Sequence, residues 1–181
     1  PADARLVGRL WRPTAFLAEV CARLSPGRAL ELACGTGRDA VYLAACGWQV
    51  LAVDVLPDAL ERGQMLAQRC APALAPVEWR QADLERGVLK LPAGFDLVVA
   101  VRYLHRPLFA RLPDWLRPGG SFVCETFTTV HRARHGRPAR TTDVLRPGEL
   151  TALLAGFELR HCSEAWHGPL HTARAWAVRA G

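Results

Sequence analysis

The chain has 181 residues, half of them hydrophobic and 22% charged, which suits one globular domain of roughly the usual ~150 residues and argues against disorder. A chain of this length buries roughly 70% of its unfolded surface without a disulfide or metal staple, and no apolar run approaches the ~20 residues of a membrane span. The net charge of +6 rests on 22 arginines and one lysine, Lys90, beside abundant alanine, a codon-bias signature that weakens any argument from charge to nucleic acid.

Phe16, Leu17, Val20 and Leu24 form one helical stripe that Ser25-Pro26-Gly27 stops, a helical cap within residues 1–27. Residues 29–33 are a short apolar strand running into the turn Cys34-Gly35-Thr36-Gly37; helix 38–45 follows, with Gly47 as a left-handed cap. Residues 48–53 form a second buried strand closed by Asp54. Pro57 opens a helix reaching about residue 70, with Leu60, Met65 and Leu66 on its inner face. Residues 77–82 read as a third strand ending at Asp83, and 95–101 as a fourth, apolar throughout as a strand covered on both faces must be. Residues 107–116 read as helix, Arg117-Pro118-Gly119-Gly120 as a tight turn and 121–127 as a fifth strand. The polar, Arg-rich stretch 128–146 has no period and is expected to be a long loop. Helix 149–154 and strands 157–162 and 172–178, the latter joined by a hairpin at His167-Gly168-Pro169, close the chain. Strand–helix alternation with apolar strands predicts a single α/β domain whose parallel sheet carries helices on both faces.

The N-terminus lacks a signal-peptide pattern, so the expected location is cytoplasmic. Cysteines 21, 34, 46, 70, 124 and 162 include no Cys-x-x-Cys pair and read as small buried hydrophobes. Pro1 is not an initiator methionine, which leaves processing, trimming or excision from a longer chain open.

Gly35-Thr36-Gly37 follows a strand and opens a helix, where glycine permits a sharp bend and the helix N-terminus offers unpaired N–H groups. Asp54 closes the next strand 19 residues after Gly35, placed to accept from ribose hydroxyls, and Asp83 closes the third strand, near an adenine edge. In an open α/β sheet these strand ends converge on one crevice. The blander alternative is that either acid merely caps the following helix.

These residues resemble the class I S-adenosylmethionine-dependent methyltransferases. Glu31-Leu32-Ala33-Cys34-Gly35-Thr36-Gly37 is similar to their first motif; Val53-Asp54, Gln81-Ala82-Asp83-Leu84, Phe95-Asp96-Leu97-Val98-Val99 and Leu116-Arg117-Pro118-Gly119-Gly120 follow in family order. Ala33 departs from the glycine many members carry; its methyl is tolerated if the backbone stays in the β region, but leaves less room for the cofactor. Arg102-Tyr103-Leu104-His105-Arg106-Pro107-Leu108-Phe109 and Glu125-Thr126-Phe127-Thr128 resemble a small bacterial tellurite-resistance-like subgroup. Some of its members are fused behind a rhodanese-like domain, which makes Pro1 a candidate domain boundary.

The resemblance implies a Rossmann-like three-layer sandwich, with a seven-stranded, mostly parallel sheet whose antiparallel last strand lies beside the fifth. It implies S-adenosyl-L-methionine as cofactor. Glu31 and the backbone of Cys34, Gly35, Thr36 and Gly37 would hold the methionine part, Asp54 the ribose, and Asp83 with Leu84 the adenine. Arg38 and Val55 complete these contacts, and Ala100 with Val101 passes beneath the sulfonium.

On the acceptor side, Tyr103, His105 and Glu125 are the candidate catalytic residues, and Arg102, Tyr103, Arg106, Thr126 and Arg137 the candidate substrate contacts. Each has a structural alternative: a turn cap for His105, packing for Tyr103, a salt bridge to an arginine for Glu125. The arginines of 128–146 suggest a lid attracting an anion, or else a solvated loop. His161, His167, His171 and Cys162 match no compact zinc spacing, so no metal is expected. The expected function is methyl transfer to a small molecule, an anion under the lid reading of the arginines. Alternatives are an RNA methyltransferase, a non-catalytic cofactor-binding module, and an NAD-dependent oxidoreductase using the fingerprint Gly35-x-Gly37-x-x-Ala40. Against the last, Glu31 is charged inside a buried strand and no second domain is visible.

Overall fold

In the computed structural model, which describes residues 12–70, 77–86 and 90–181, the apolar run after Gly27 pairs on both of its edges. β1 (Arg28–Leu32) lies parallel to β2 (Gln49–Asp54) on one side and to β4 (Phe95–Val101) on the other. β3 (Glu78–Gln81) extends the sheet beyond β2, and β5 (Leu116–Phe127) extends it beyond β4. β7 (Leu170–Arg179) inserts antiparallel between β5 and the edge strand β6 (Phe157–His167). The order β3-β2-β1-β4-β5-β7-β6 is the seven-stranded topology that the resemblance implied.

The central strands are apolar throughout because both faces are covered. Leu30, Leu32, Val98, Ala100, Phe122 and Cys124 face one core, with α4 (Leu112–Trp115) and α6 (Glu149–Leu153) against it. Ala29, Leu97, Val99 and Val123 face the other, under α1 (Ala15–Cys21), α2 (Arg38–Ala45) and α3 (Pro57–Cys70). The helical cap expected within 1–27 is α1; residues 1–11 lie outside the described residues.

Five expectations change, one being the turn at residues 117–120, which lies inside β5 where its register against β4 shifts. Met65 is exposed while Leu60 is buried as expected; Ala59 and Gly63 complete the inner face of α3, with the Trp79 ring against Gly63. Residues 107–116 divide into a 3-10 turn, Arg106–Arg111, and the single turn α4. Stretch 128–146 is not a loop: it contains α5 (Thr129–His135) and a 3-10 turn at Thr141–Asp143. The buried residue of α5 is His131, so the helix shows no apolar period. Finally, β6 runs well past residue 162; as an edge strand it exposes polar side chains, and Cys162 is exposed with them.

Candidate active site

The chain leaves β1 through a left-handed turn. Ala33 has φ +54°, Gly35 +54° and Gly37 +69°. The condition that Ala33 stay in the β region is not met: the Cys34 N–H donates to the Val53 carbonyl (3.0 Å) and the Gly37 N–H to the Cys34 carbonyl (2.9 Å), and the bend begins at Ala33. A left-handed alanine costs about 1–2 kcal/mol relative to glycine. The two glycines differ in purpose. A Cβ on Gly35 would meet nothing within 4 Å, so this face of the turn is open to a ligand. A Cβ on Gly37 would lie 2.2 Å from the Trp79 ring, so that glycine serves packing.

Asp54 is buried and fixes the turn to β2. Its Oδ2 accepts the Gly35 N–H (2.7 Å) and its Oδ1 the Leu56 N–H (3.0 Å), and each carboxylate oxygen keeps a lone pair for another donor. Asp83 uses one oxygen to hold the following turn, accepting from the N–H groups of Glu85 (2.8 Å) and Arg86 (3.1 Å). With Ala33, Val55, Leu84 and Tyr103, the two acids line an open cavity of about 260 Å³ at the carboxyl edge of the sheet. That approaches the ~300–1,000 Å³ of typical small-molecule sites.

Glu31 lies deeper. Burial, then the nearby Asp39, pushes its carboxyl well above the usual range; the Ala40 N–H opposes this. Its Oε2 has no hydrogen-bond partner. A buried, unpartnered carboxylate oxygen beside an open glycine turn fits the ammonium of a bound methionine moiety, which would satisfy the oxygen and favour its charge. Sequence reasoning missed the supports of this corner. Asp39 accepts both the backbone N–H and the hydroxyl of Thr14 at 2.7 Å, and Arg38 donates to the Thr14 hydroxyl (3.1 Å), tying the start of α1 to α2. An acid in the first helical turn was legible; its partner 25 residues away was not.

On the acceptor side the residues separate. Arg102 is exposed with φ +55°, its N–H donating to the Glu125 carbonyl (2.6 Å). Tyr103 borders the cofactor cavity, and its hydroxyl is buried without a partner. Burial, reinforced by Glu85, Asp83 and Asp54, raises its pKa and keeps it protonated. The His105 ring makes no capping bond to the turn that follows and lines a small apolar cavity with Tyr103, Leu108 and Phe109. Arg106 is not free for substrate. It grips Glu149 through two bonds (2.6 and 3.0 Å) and donates to the carbonyls of Thr142 (2.7 Å) and Val144 (3.1 Å). Glu125 likewise leaves the catalytic set: it is buried on β5 with Oε2 2.9 Å from Arg174 Nε, the salt-bridge alternative. Thr126 is buried with an unpartnered hydroxyl, Arg137 is exposed, and Val101 sits in register with Glu125.

The 128–146 segment is stitched to the sheet rather than hinged above it. Thr129 donates to the Leu145 carbonyl and Leu145 to the Phe127 carbonyl, both at 2.9 Å. Thr128 meets His171 Nδ1 at 2.7 Å, and His131 stacks on Phe127 with ring centres 4.5 Å apart. Arg132 donates to the Ala139 carbonyl, Arg134 lies over Trp166, and Arg140 pairs with Asp143, so these arginines do local structural work.

Comparisons with known proteins agree with this geometry. The family described as Methyltransferase domain matches residues 29–120. Over 103 residues the chain is 31% identical to a Ribosomal RNA small subunit methyltransferase C from Alcanivorax borkumensis, covering 52% of this chain and 30% of that relative's length. Among solved structures it resembles TehB from Haemophilus influenzae (TM-score 0.74, 16% identity, 90% of this chain and 61% of that one). It also resembles the N-methyltransferase NodS from Bradyrhizobium japonicum (0.70, 18%, 91% and 93%). The third is the magnesium protoporphyrin IX methyltransferase ChlM from Synechocystis with bound SAH (0.69, 17%, 91% and 80%). The chain thus belongs to the methyltransferase domain family and has the fold of the class I S-adenosylmethionine-dependent methyltransferases.

Proposed function

We propose that this protein methylates a small molecule rather than RNA. The observation that supports the reading is at the acceptor edge: the segment around α5 is stitched to the end of β5 and clamped by Arg106, so folded chain flanks the carboxyl ends of β4 and β5. Magnesium protoporphyrin IX, which gives the ChlM methyltransferase its name, is a small molecule.

When bound, S-adenosylmethionine supplies an activated methyl group on a sulfonium. The chain's own work is orientation, which is worth up to ~7–11 kcal/mol when reacting atoms are well aligned. Asp54 holds the sugar, Asp83 and Leu84 the base, and Glu31 with the Gly35 turn the amino-acid end. Tyr103, kept protonated by its surroundings, offers a hydroxyl between donor and acceptor. Glu125 is removed from proton transfer by Arg174, which leaves His105 as the residue available to take a proton from an acceptor that arrives protonated.

The ribosomal RNA methyltransferase relative favours the second reading, in which the acceptor is RNA. Methyl-labelled S-adenosylmethionine and the protein, added to a cell extract, discriminate the two. The small-molecule reading places protein-dependent label in the fraction passing a small-pore filter; label in acid-precipitable, RNase-sensitive material would replace it with the RNA reading.

A further inference from the structure

A second cavity, of about 180 Å³, lies on the same face of the sheet as Glu31, between α1 and the β6–β7 hairpin. That is about six times the ~30 Å³ share of one liquid water. It is lined by Phe16 and Trp176 and by Arg23, Arg160 and Arg174, with Glu19 the carboxylate of the lining; Arg160 also pairs with Glu158 (3.2 Å) and Arg174 with Glu125 (2.9 Å). Two of its lining residues carry a buried atom without a hydrogen bond, Arg174 Nε and His167 Nε2, and Glu125 Oε2 beside Arg174 is a third. The Arg174 guanidinium stands beside Glu125 as a charge but does not aim its Nε hydrogen at the carboxylate, and it lies over Phe16. Burial, then Arg174, depresses the pKa of His167. An unpaired buried polar atom is costly, and an anion in this cavity would bring an acceptor to the residues that carry these atoms.

The register places this cavity relative to the methyl donor. Val101, Glu125, Arg174 and Ser163 are successive cross-strand partners, and partners directly opposite point to one face. At ~4.8 Å per strand, Arg174 lies ~10 Å from Val101 and Ser163 ~15 Å away. We propose that this cavity is a binding site for a small organic anion with a planar apolar body, its carboxylate held by Arg174, Arg160 and His167 and its ring between Phe16 and Trp176. It rests on the small-molecule reading above, for which it defines the acceptor as a flat acid anchored here and long enough to carry its reacting atom the ~10 Å back toward Val101.

Benzoate is the probe, with benzamide as its neutral twin, titrated calorimetrically into the full chain with S-adenosylhomocysteine titrated separately. Benzoate should bind and benzamide should bind about tenfold more weakly or worse, the factor expected from one lost charge-assisted hydrogen bond. Arg160→Gln and Arg23→Gln, both surface changes, should weaken benzoate while leaving S-adenosylhomocysteine unaffected. Arg174→Gln alone strands Glu125, so it is made together with Glu125→Gln and should abolish benzoate binding. Benzoate and benzamide binding alike, benzoate indifferent to all three variants, or no benzoate binding would each overturn the proposal. Inorganic sulfate binding as tightly as benzoate would also overturn it, because the aromatic walls would then contribute nothing. Failure of S-adenosylhomocysteine to bind while benzoate behaves as expected would instead refute the cofactor reading.

Discussion

Replacing Asp54 with asparagine keeps the side chain's shape and removes one acceptor. In the native turn the two oxygens receive the N–H groups of Gly35 at 2.7 Å and Leu56 at 3.0 Å. Asparagine has one carbonyl oxygen, so its NH₂ must face one of these donors. A buried N–H without a partner costs about 1–3 kcal/mol, which urea unfolding of the ligand-free protein will report. The second loss falls on the ligand. With one acceptor fewer, the side chain cannot receive both ribose hydroxyls while holding the turn. Losing one such bond to a charged acceptor weakens S-adenosylhomocysteine by about 1–3 kcal/mol, or roughly 5- to 150-fold in Kd. Adenosine, which carries the ribose without the amino-acid end, should lose the same factor in calorimetry. Glu31→Gln should do the reverse, weakening S-adenosylhomocysteine and sparing adenosine. A folded Asp54→Asn protein that binds both ligands within about twofold of wild type would refute the assignment of the ribose to Asp54.

Other consequences follow from the same turn and from the Arg106 clamp. Ala33→Gly relieves a left-handed alanine, and the relief of about 1–2 kcal/mol offsets the ~0.4–1 kcal/mol lost to the freer unfolded chain. Urea unfolding should show equal or greater stability; a loss above about 1 kcal/mol would contradict the strain. Gly35→Ala should retain the fold at a cost of about 1–2 kcal/mol yet lose S-adenosylhomocysteine binding, since its Cβ projects into open space on the ligand side. Gly37→Ala, which drives a methyl into Trp79, should fail thermally in the absence of any ligand; the two variants behaving alike would mean the glycines share one job. Glu149, gripped first of all by Arg106, has its carboxyl held down to about 2 from an ordinary 4.5. A depressed acid contributes stability above its unfolded value and loses it as protons arrive, so about 1–3 kcal/mol should disappear between roughly pH 4.5 and 2. Glu149→Gln should flatten that part of the stability–pH curve, and an unchanged slope would show that the clamp carries no stabilising charge.

The sheet was legible where chemistry and burial coincide. A strand covered on both faces must be apolar along its length, so β4 stands at its predicted limits and α2 between its glycine caps does too. The cofactor edge was legible for a related reason: a turn needing glycine, and acids at successive strand ends, are local patterns. What escaped depends on partners distant in sequence. α5 hides its buried face behind His131, whose packing against Phe127 and bond from the His171 backbone exist only once β7 is in place. Arg106 looks like an anion contact until Glu149, 43 residues on, is brought beside it. Glu125 presented two outcomes, crevice or salt bridge, and only the antiparallel pairing of β5 with β7 selects Arg174. The two glycines of the turn look equivalent as letters; the Trp79 ring, reached through β3, separates them.

The most direct test of the central claim is a crystal structure grown with S-adenosylhomocysteine. The account predicts the adenosine lying across the ends of β1, β2 and β3, its ribose hydroxyls on Asp54 and its base beside Asp83 and Leu84, with the homocysteine ammonium at Glu31 Oε2. Ligand density elsewhere, with that groove empty and Glu31 still unpartnered, would contradict it.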